Sequence, residues 1–187
     1  MISSIRNFFQ ERRYRKDLGK MHELNEAFMN SVFNQAKKDG YENALNPTEV
    51  LVLSTFIVTE FYFGLSRDKA FTSDILDAFH KLAAEWLFNL NLPSIGVNLP
   101  DEDVGAMYFQ FMTLFYEKTK VRYGEYRSIM QDERGSFRFS ERHFSDLGKH
   151  LIQSSSSIDS DERKLLTFAF GLAVVEHMSR CLTSLKH

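Results

Sequence analysis

The stretch NPTEVLVLSTFIVTEFYFG, residues 46–64, decides the fold class of this 187-residue chain. Asn46 can cap a helix, Pro47 suits the first helical position, and Glu49 follows Asn46 at the capping-box spacing. The apolar residues between Asn46 and Gly64 cover a broad helical arc, so the pattern predicts a central helix that ends at Gly64. These residues are Val50, Leu51, Leu53, Ile57, Val58, Phe61 and Tyr62.

Apolar stretches with helical spacing recur on both sides of this segment, and each is bounded by a stop signal. Gly40, Gly64 and Gly135 are typical of helix ends, and Asp159 with Glu162 repeats the capping-box spacing. Gly124 is expected to kink or end the helix that contains it. Helices are predicted at residues 2–14, 17–38, 46–64, 72–88, 101–134, 141–153 and 159–185.

The segments between these helices are predicted to be non-helical. Residues 89–100 contain two prolines and Gly96, which predicts a long loop. Phe137 and Phe139 alternate with polar residues and indicate an extended connector, and the serines at 154–157 indicate a flexible link. Since no strand pattern or internal repeat is found, we expect an all-α fold. It would be a compact bundle of six or seven mostly antiparallel helices with a Phe-rich core.

Length and aromatic content bound the architecture further. A chain of 187 residues suits a single domain, here residues 1–187. Residues 1–16 would form a basic amphipathic helix that packs on this domain or extends from it. The chain has 18 Phe and seven Tyr residues, and each buried ring removes roughly 150–250 Å² from water. This composition favours a filled aromatic core and leaves an aromatic-lined cavity for a small apolar ligand as the alternative.

Charge is unevenly distributed along the chain. Residues 1–20 hold six basic and two acidic residues, a net +4, so the remainder carries −6 of the total of −2. The cluster Arg12, Arg13, Arg15 and Lys16 either is a solvated side of a packed helix or contacts a partner protein, an anionic membrane surface or phosphates. The negative total argues against general nucleic-acid binding.

The cellular compartment is inferred from cysteine content and hydropathy. Cys181 is the single cysteine, so no intrachain disulfide forms, and a buried, inert thiol is expected. The N-terminus lacks the uninterrupted apolar core of a signal peptide. The most apolar segments, residues 50–65 and 165–175, are shorter than the roughly 20 residues of a membrane span. We therefore expect a cytoplasmic protein.

Motifs that carry chemistry are not found in the sequence. Nucleotide loops, a Gly-x-Ser-x-Gly elbow and the Glu-x-x-His pairs of di-iron bundles do not occur. His143, Asp146 and His150 share one helical face, but the two histidines lie about 10 Å apart along the axis, too far for one metal ion. We expect no catalytic, cofactor-binding or metal-ligating residues, although a site assembled from distant residues stays open.

Two polar residues lie within very apolar helices and are candidate buried polar groups. Glu60 follows nine largely apolar residues, and His177 occupies the last predicted helix. A buried carboxylate needs a partner, for which His177 or Arg180 is the candidate if these helices pack together. Since Glu60 also aligns with Glu49 on the helical wheel, the sequence favours the edge of a solvent-facing strip. Glu176 and Arg180 are expected to form a surface ion pair.

These patterns support two hypotheses about function. The apolar arcs are broader than one bundle easily hides, which favours a non-catalytic interaction or regulatory protein acting through an apolar helical face, as a homodimer or with another protein. The alternative is a binder, or an enzyme, for a small apolar ligand held between helices.

Overall fold

The structure is a computed structural model that describes residues 2–66, 69–95, 101–132, 134, 136, 140–153 and 158–185. Within these residues it is all-α, with one short 3₁₀ helix at Glu42–Ala44 and no strand, which confirms the predicted fold class. The six helices are α1 Ile2–Lys38, α2 Pro47–Leu65, α3 Lys69–Ile95, α4 Asp101–Met130, α5 Glu141–His150 and α6 Ser160–Ser184.

Helix α2 contains the stretch that decides the fold, and it lies at the centre of the packing. Its residues from Glu49 to Thr59 are all buried, and it contacts α1, α3, α4 and α6. Asn46 caps the helix by accepting a hydrogen bond from the Glu49 amide, with Pro47 at the first turn as predicted. The Glu49 side chain does not complete the capping box, because it points to α4 instead.

Helix α1 corrects the prediction of two N-terminal helices. Residues 2–14 and 17–38 form one helix of 37 residues, because no helix breaker separates them. Tyr14 packs edge-on against Phe71 of α3, with ring centroids 6.3 Å apart. The prediction that residues 2–14 have one apolar side depends on the side chains of residues 2–10. The structure describes these residues as helical, but their side chains lie outside its description.

Helices α3 and α4 also differ from the prediction at their ends. Helix α3 continues through Pro93 to Ile95, so the first part of the predicted loop at 89–100 is helical. A proline this close to a helix end removes only one hydrogen bond of the last turns. Helix α4 passes through Gly124 without interruption and ends at Met130, because Tyr123 and Tyr126 anchor it in the core.

The connection from α5 to the start of α2 is made by backbone hydrogen bonds. The Asn46 amide donates to the Leu151 carbonyl (2.8 Å), and the Gln153 amide donates to the Ala44 carbonyl (2.7 Å). Helix α5 ends at His150, three residues earlier than predicted. The connector at Phe137 and Phe139 and the serine link at 154–157 lie outside the described residues.

Helices α5 and α6 cross closely, which shapes the outer face of the protein. A Cβ atom on Gly148 would lie 2.3 Å from the Thr167 carbonyl oxygen, and one on Gly171 would lie 3.0 Å from the backbone of Phe144. Gly148 therefore leaves no room for a Cβ atom where the two backbones meet, and at Gly171 the facing backbone would have to move by a few tenths of an ångström. On the other side of α6, Phe170 and Val174 are fully buried in the core.

Candidate functional site

An exposed apolar surface runs along the outer face of α6. Leu165 is 71% exposed, Phe168 44% and Leu172 55%, although all three are large apolar side chains. The half-buried Val175 follows Leu172 after three residues, and Leu182 lies on the same side of the helix seven residues further on. We call these five residues the α6 stripe.

A groove beside the α6 stripe is formed where α5 and α6 cross. Its volume is about 310 Å³, and it opens to solvent. The lining is almost wholly apolar, since Ser145 supplies its single polar side chain. The α5–α6 groove is lined by Phe144, Ser145, Phe168, Gly171, Leu172 and Val175.

Exposed apolar residues also occur on α4. Phe109 and Tyr116 are seven residues apart, as are Leu114 and Val121, so each exposed pair shares one side of that helix. The cleft beside Val121, however, is lined mostly by polar and charged side chains. The α6 stripe differs because the groove beside it is almost wholly apolar.

A buried hydrogen-bonded network links α1, α2 and α6 and contains the predicted His177. The Ser54 hydroxyl donates to Asn25 Oδ1 (2.6 Å) and lies 3.1 Å from His177 Nε2, while Asn25 Nδ2 donates to Thr55 Oγ1 (3.0 Å). The His177 ring stacks on Phe28 with centroids 4.5 Å apart. The network holds three helices in one relative position.

The protonation of this network identifies it as structural. Because the Ser54 hydroxyl proton is directed at Asn25, His177 donates from Nε2, and its buried Nδ1 has no hydrogen-bond partner among the described residues. Burial lowers the pKa of His177 to about 3, so the ring is neutral at pH 7. A serine that donates to an amide, next to a histidine that donates to it, is not arranged as a nucleophile with its base.

Glu60 is held by α4 and not by α6. Arg127 donates to Glu60 Oε1 from Nε (3.0 Å), and Gln131 donates to Oε2 (3.1 Å). Glu60 does not pair with His177 or Arg180, the candidate partners suggested by the sequence, because α4 covers this side of α2. Arg180 instead pairs with Glu176, as predicted.

Glu49 forms a second junction between α2 and α4. Arg122 Nε donates to its Oε1 (2.7 Å), and the Tyr126 hydroxyl donates to its Oε2 (2.6 Å). Burial, with Glu49 as neighbour, raises the pKa of Tyr126, so its hydroxyl stays protonated. An open cleft of about 560 Å³ lies beside this junction. Both Glu49 oxygens are already paired, so the carboxylate serves to join the helices.

The basic cluster of α1 is divided by the structure. Arg13 lies 3.6 Å from Asp17 and 5.1 Å from the centre of the Phe71 ring, and Arg15 pairs with Glu11 (2.7 Å). Arg12 and Lys16 are exposed four residues apart on the same side of the helix. All four cations are therefore exposed, but Arg13 and Arg15 each have an acidic neighbour on the same helix.

The remaining candidate residues do not converge on a site. His143 is bonded to Ser140, Asp146 pairs with Lys149, and His150 packs against Tyr126. In the described part of the chain, no group of three or more His, Cys, Asp or Glu side chains could hold a metal ion. Burial raises the pKa of the buried Cys181 thiol to about 12, so it is not a nucleophile at neutral pH.

Two helices of the described residues meet the length and composition of a membrane span. They are α2 and α6, and 72% of the relevant window of α2 is buried within the protein against 44% for α6. Core helices of soluble proteins meet the same criteria. The difference in burial again singles out α6 as the apolar helix whose outer face is uncovered.

The α6 stripe and most of the buried network were not predicted from the sequence. Helix α6 is apolar on both sides, so its outer stripe cannot be separated from its core face by periodicity alone. Comparison with protein-family models, with curated proteins and with solved structures found no match for this chain.

Proposed function

We propose that this protein is a non-catalytic interaction or regulatory protein of the cytoplasm, and that the α6 stripe with the adjoining α5–α6 groove is its working surface. The observation that carries the proposal is the exposure of Leu165, Phe168 and Leu172 in one line beside a groove. Apolar patches that are contiguous on one face commonly mark protein–protein contact sites.

The composition of the surface favours binding over catalysis. The groove contains no acid, base or cation, and Ser145 has no adjacent histidine among its lining residues. Catalysis at a surface of this kind would lack a group to move a proton or to stabilise charge. A partner that binds by burying apolar side chains needs no group that moves a proton and no group that stabilises charge.

The proposal includes the organisation of the chain. Residues 1–187 would form one domain, a compact bundle in which Phe-rich packing supplies the rigidity behind the α6 face. The fully buried rings of Phe28, Phe56, Phe79 and Phe170, which lie on four different helices, support this part of it.

The direct test is site-specific photo-crosslinking in cells. A photoreactive phenylalanine analogue placed at Leu165 or Leu172 should yield crosslinked protein adducts, because a partner covers this face. The same analogue at Phe109 or Val121 is the matched control, since both are highly exposed on α4. Absence of adducts at the α6 positions, or equal adducts at all four, would contradict the proposal.

A small apolar ligand is the second candidate, and the groove supports it. A volume of about 310 Å³ with two phenylalanine rings is at the lower end of small-molecule sites. Ser145→Leu would fill the groove and should abolish binding of a co-purified ligand detected by native mass spectrometry. Leu182→Lys lies outside the groove and should leave ligand binding unchanged while weakening contact with a protein partner.

A further inference from the structure

We propose that one side of the first four turns of α1 binds an anionic membrane surface. This side contains the positions of Ile5, Phe9, Arg12 and Lys16, which follow one another at steps of four, three and four residues on one continuous helix. Residues at these steps share one side of a helix. We call these four residues the α1 outer side. The inference goes beyond the proposed function, because it concerns a different helix from the α6 stripe.

Helix α1 packs on the body of the protein through another side. Asp17 and Met21 are buried there, and the half-buried Tyr14 precedes them on the same line. Towards the start of the helix, steps of three and four residues continue this line through three polar positions, Gln10, Asn7 and Ser3. The α1 outer side lies roughly 140° away, since each residue advances by about 100° around the helix. The apolar positions of the first turns therefore do not continue the core-facing side of α1.

The first turns of α1 also extend past the described helices that pack against it. Helices α2 and α6 run antiparallel to α1 and end beside it. Tyr62 near the end of α2 donates to Asp17, and Lys20 donates to the carbonyl oxygen of the last residue of α6. Phe71, the third residue of α3, packs beside this part of α1, and α3 runs from there in the same direction as α1. Residues 2–11 therefore extend about 15 Å beyond these neighbours.

The charge of this part of α1 is complementary to an anionic surface. Residues 1–20 carry a net +4, whereas the rest of the chain carries −6, so α1 is the part that such a surface attracts. Arg12 and Lys16 are exposed and have no acidic partner among the described residues, whereas Arg15 pairs with Glu11. Each Lys or Arg close to an anionic leaflet strengthens binding about fivefold.

The combination of apolar and basic positions favours a lipid bilayer over other anionic partners. A helix at a membrane interface inserts apolar side chains among the headgroups, while its Lys and Arg side chains attract anionic lipid. The first three turns of α1 supply the apolar positions, which are Ile2, Ile5, Phe8 and Phe9. Arg12 and Lys16 follow on the same side in the next two turns. One side of the helix can therefore make both kinds of contact with a bilayer.

A nucleic acid fits this side less well. Proteins that bind single strands combine cations with aromatic rings on which the bases stack. Tyr14 is the aromatic residue within the basic cluster, but its ring packs edge-on against Phe71 on the body-facing side of α1. It is therefore not presented together with Arg12 and Lys16.

The test is flotation of the full chain with vesicles of phosphatidylcholine alone or of phosphatidylcholine mixed with phosphatidylserine. The chain should float with the anionic vesicles only, and less at high salt. The double variant Arg12→Glu, Lys16→Glu should bind these vesicles at least about 25-fold more weakly. The double variant Ile5→Ser, Phe9→Ser should bind at least about tenfold more weakly, because it removes the inserted apolar groups.

Two controls separate this surface from the rest of the protein. The double variant Lys118→Glu, Lys120→Glu makes the same change of net charge at exposed positions of α4 and should bind like the wild type. Leu172→Lys alters the α6 stripe and should also leave flotation unchanged, so this inference and the proposed function fail independently. Circular dichroism would show that every variant keeps its helices.

Each contrary result overturns the inference. Wild-type chain that does not float with anionic vesicles, or floats equally with neutral ones, excludes an anionic membrane site. Equal loss in the two glutamate double variants would assign the effect to net charge, and loss in Leu172→Lys would assign membrane contact to the α6 stripe. Binding of a single-stranded oligonucleotide without flotation, abolished by Arg12→Glu with Lys16→Glu, would assign the cations to nucleic acid.

Discussion

His177 shows how one buried side chain determines the relative position of three helices. Its Nε2 lies 3.1 Å from Ser54 on α2, its ring stacks on Phe28 of α1, and it belongs to α6. The cost of burying a polar ring is offset by the hydrogen bond and the ring contact. The network thus fixes the core position from which the outer face of α6 is presented.

The neutral state of His177 predicts a pH dependence of stability. Its pKa is about 3 when folded and near the ordinary 6.5 when unfolded, so only the unfolded chain gains a proton between these values. The contribution to stability is therefore complete above pH 6.5 and is lost as the pH falls. Between pH 7 and pH 5 this loss should be about 2 kcal/mol.

Chemical denaturation at several pH values checks this expectation. The His177→Gln variant should be less stable than the wild type at pH 7. Between pH 7 and pH 5, however, its free energy of unfolding should fall by about 2 kcal/mol less than that of the wild type. The matched control is His143→Gln on α5, which should keep the wild-type decline. An unchanged slope in His177→Gln would contradict a neutral buried histidine.

Gly148 is the second residue on which the outer face depends. Gly148→Ala would place a methyl group 2.3 Å from the Thr167 carbonyl oxygen, so α5 must shift away from α6. The free energy of unfolding should fall by about 1–3 kcal/mol, as for other overpacked contacts. Gly124→Ala is the control: it has free space and should raise the stability by up to about 1 kcal/mol. Equal effects in a thermal denaturation series would exclude a close α5–α6 crossing.

For single residues, the sequence indicated which polar side chains are buried but not which partners they bind. Glu60 and His177 stand out because they interrupt apolar helices, and both are paired in the structure. Which helix covers which face depends on packing between segments far apart in the chain. The pairing of Glu60 with Arg127 therefore could not be read from spacing, whereas Glu176 with Arg180, four residues apart, could.

Helix α1 is the element that differs most from its sequence-based expectation. The structure has one helix across residues 14–17, where two were predicted. Lys16→Pro should therefore cost about 3 kcal/mol, because proline removes a hydrogen bond and clashes with the preceding turn. Lys16→Ala should be nearly neutral, since Lys16 is exposed. Urea denaturation of both variants decides the matter, and a tolerated proline would restore the two-helix interpretation.

Helix starts were more predictable than helix ends. The caps at Asn46 and Asp159 are set by local side-chain chemistry, and both form as expected. Pro93 was expected to lie in a loop and Gly124 to kink or end its helix, but helices α3 and α4 continue through these residues. At Gly124 the core contacts of Tyr123 and Tyr126 outweigh a local penalty of about 1 kcal/mol, and such contacts are not visible in a short stretch of sequence.

The whole molecule combines a buried central helix with an apolar helix that is only half covered. Helix α2 is buried on all sides from Glu49 to Thr59, and α6 is buried on one side. From the sequence we expected more apolar helix surface than the core of one bundle can bury. The sequence did not show which helix has the unburied apolar surface. That information depends on the number of neighbours of each helix, which only the fold specifies.

The central claim is that the α6 stripe is covered when the protein works. Carbene footprinting in cells, compared with the dilute purified chain, measures this cover residue by residue. Labelling of Leu165, Phe168 and Leu172 should fall several-fold in cells, whereas Phe109 and Val121 should be labelled equally in both samples. Equal labelling of the α6 stripe in the two samples would contradict the claim.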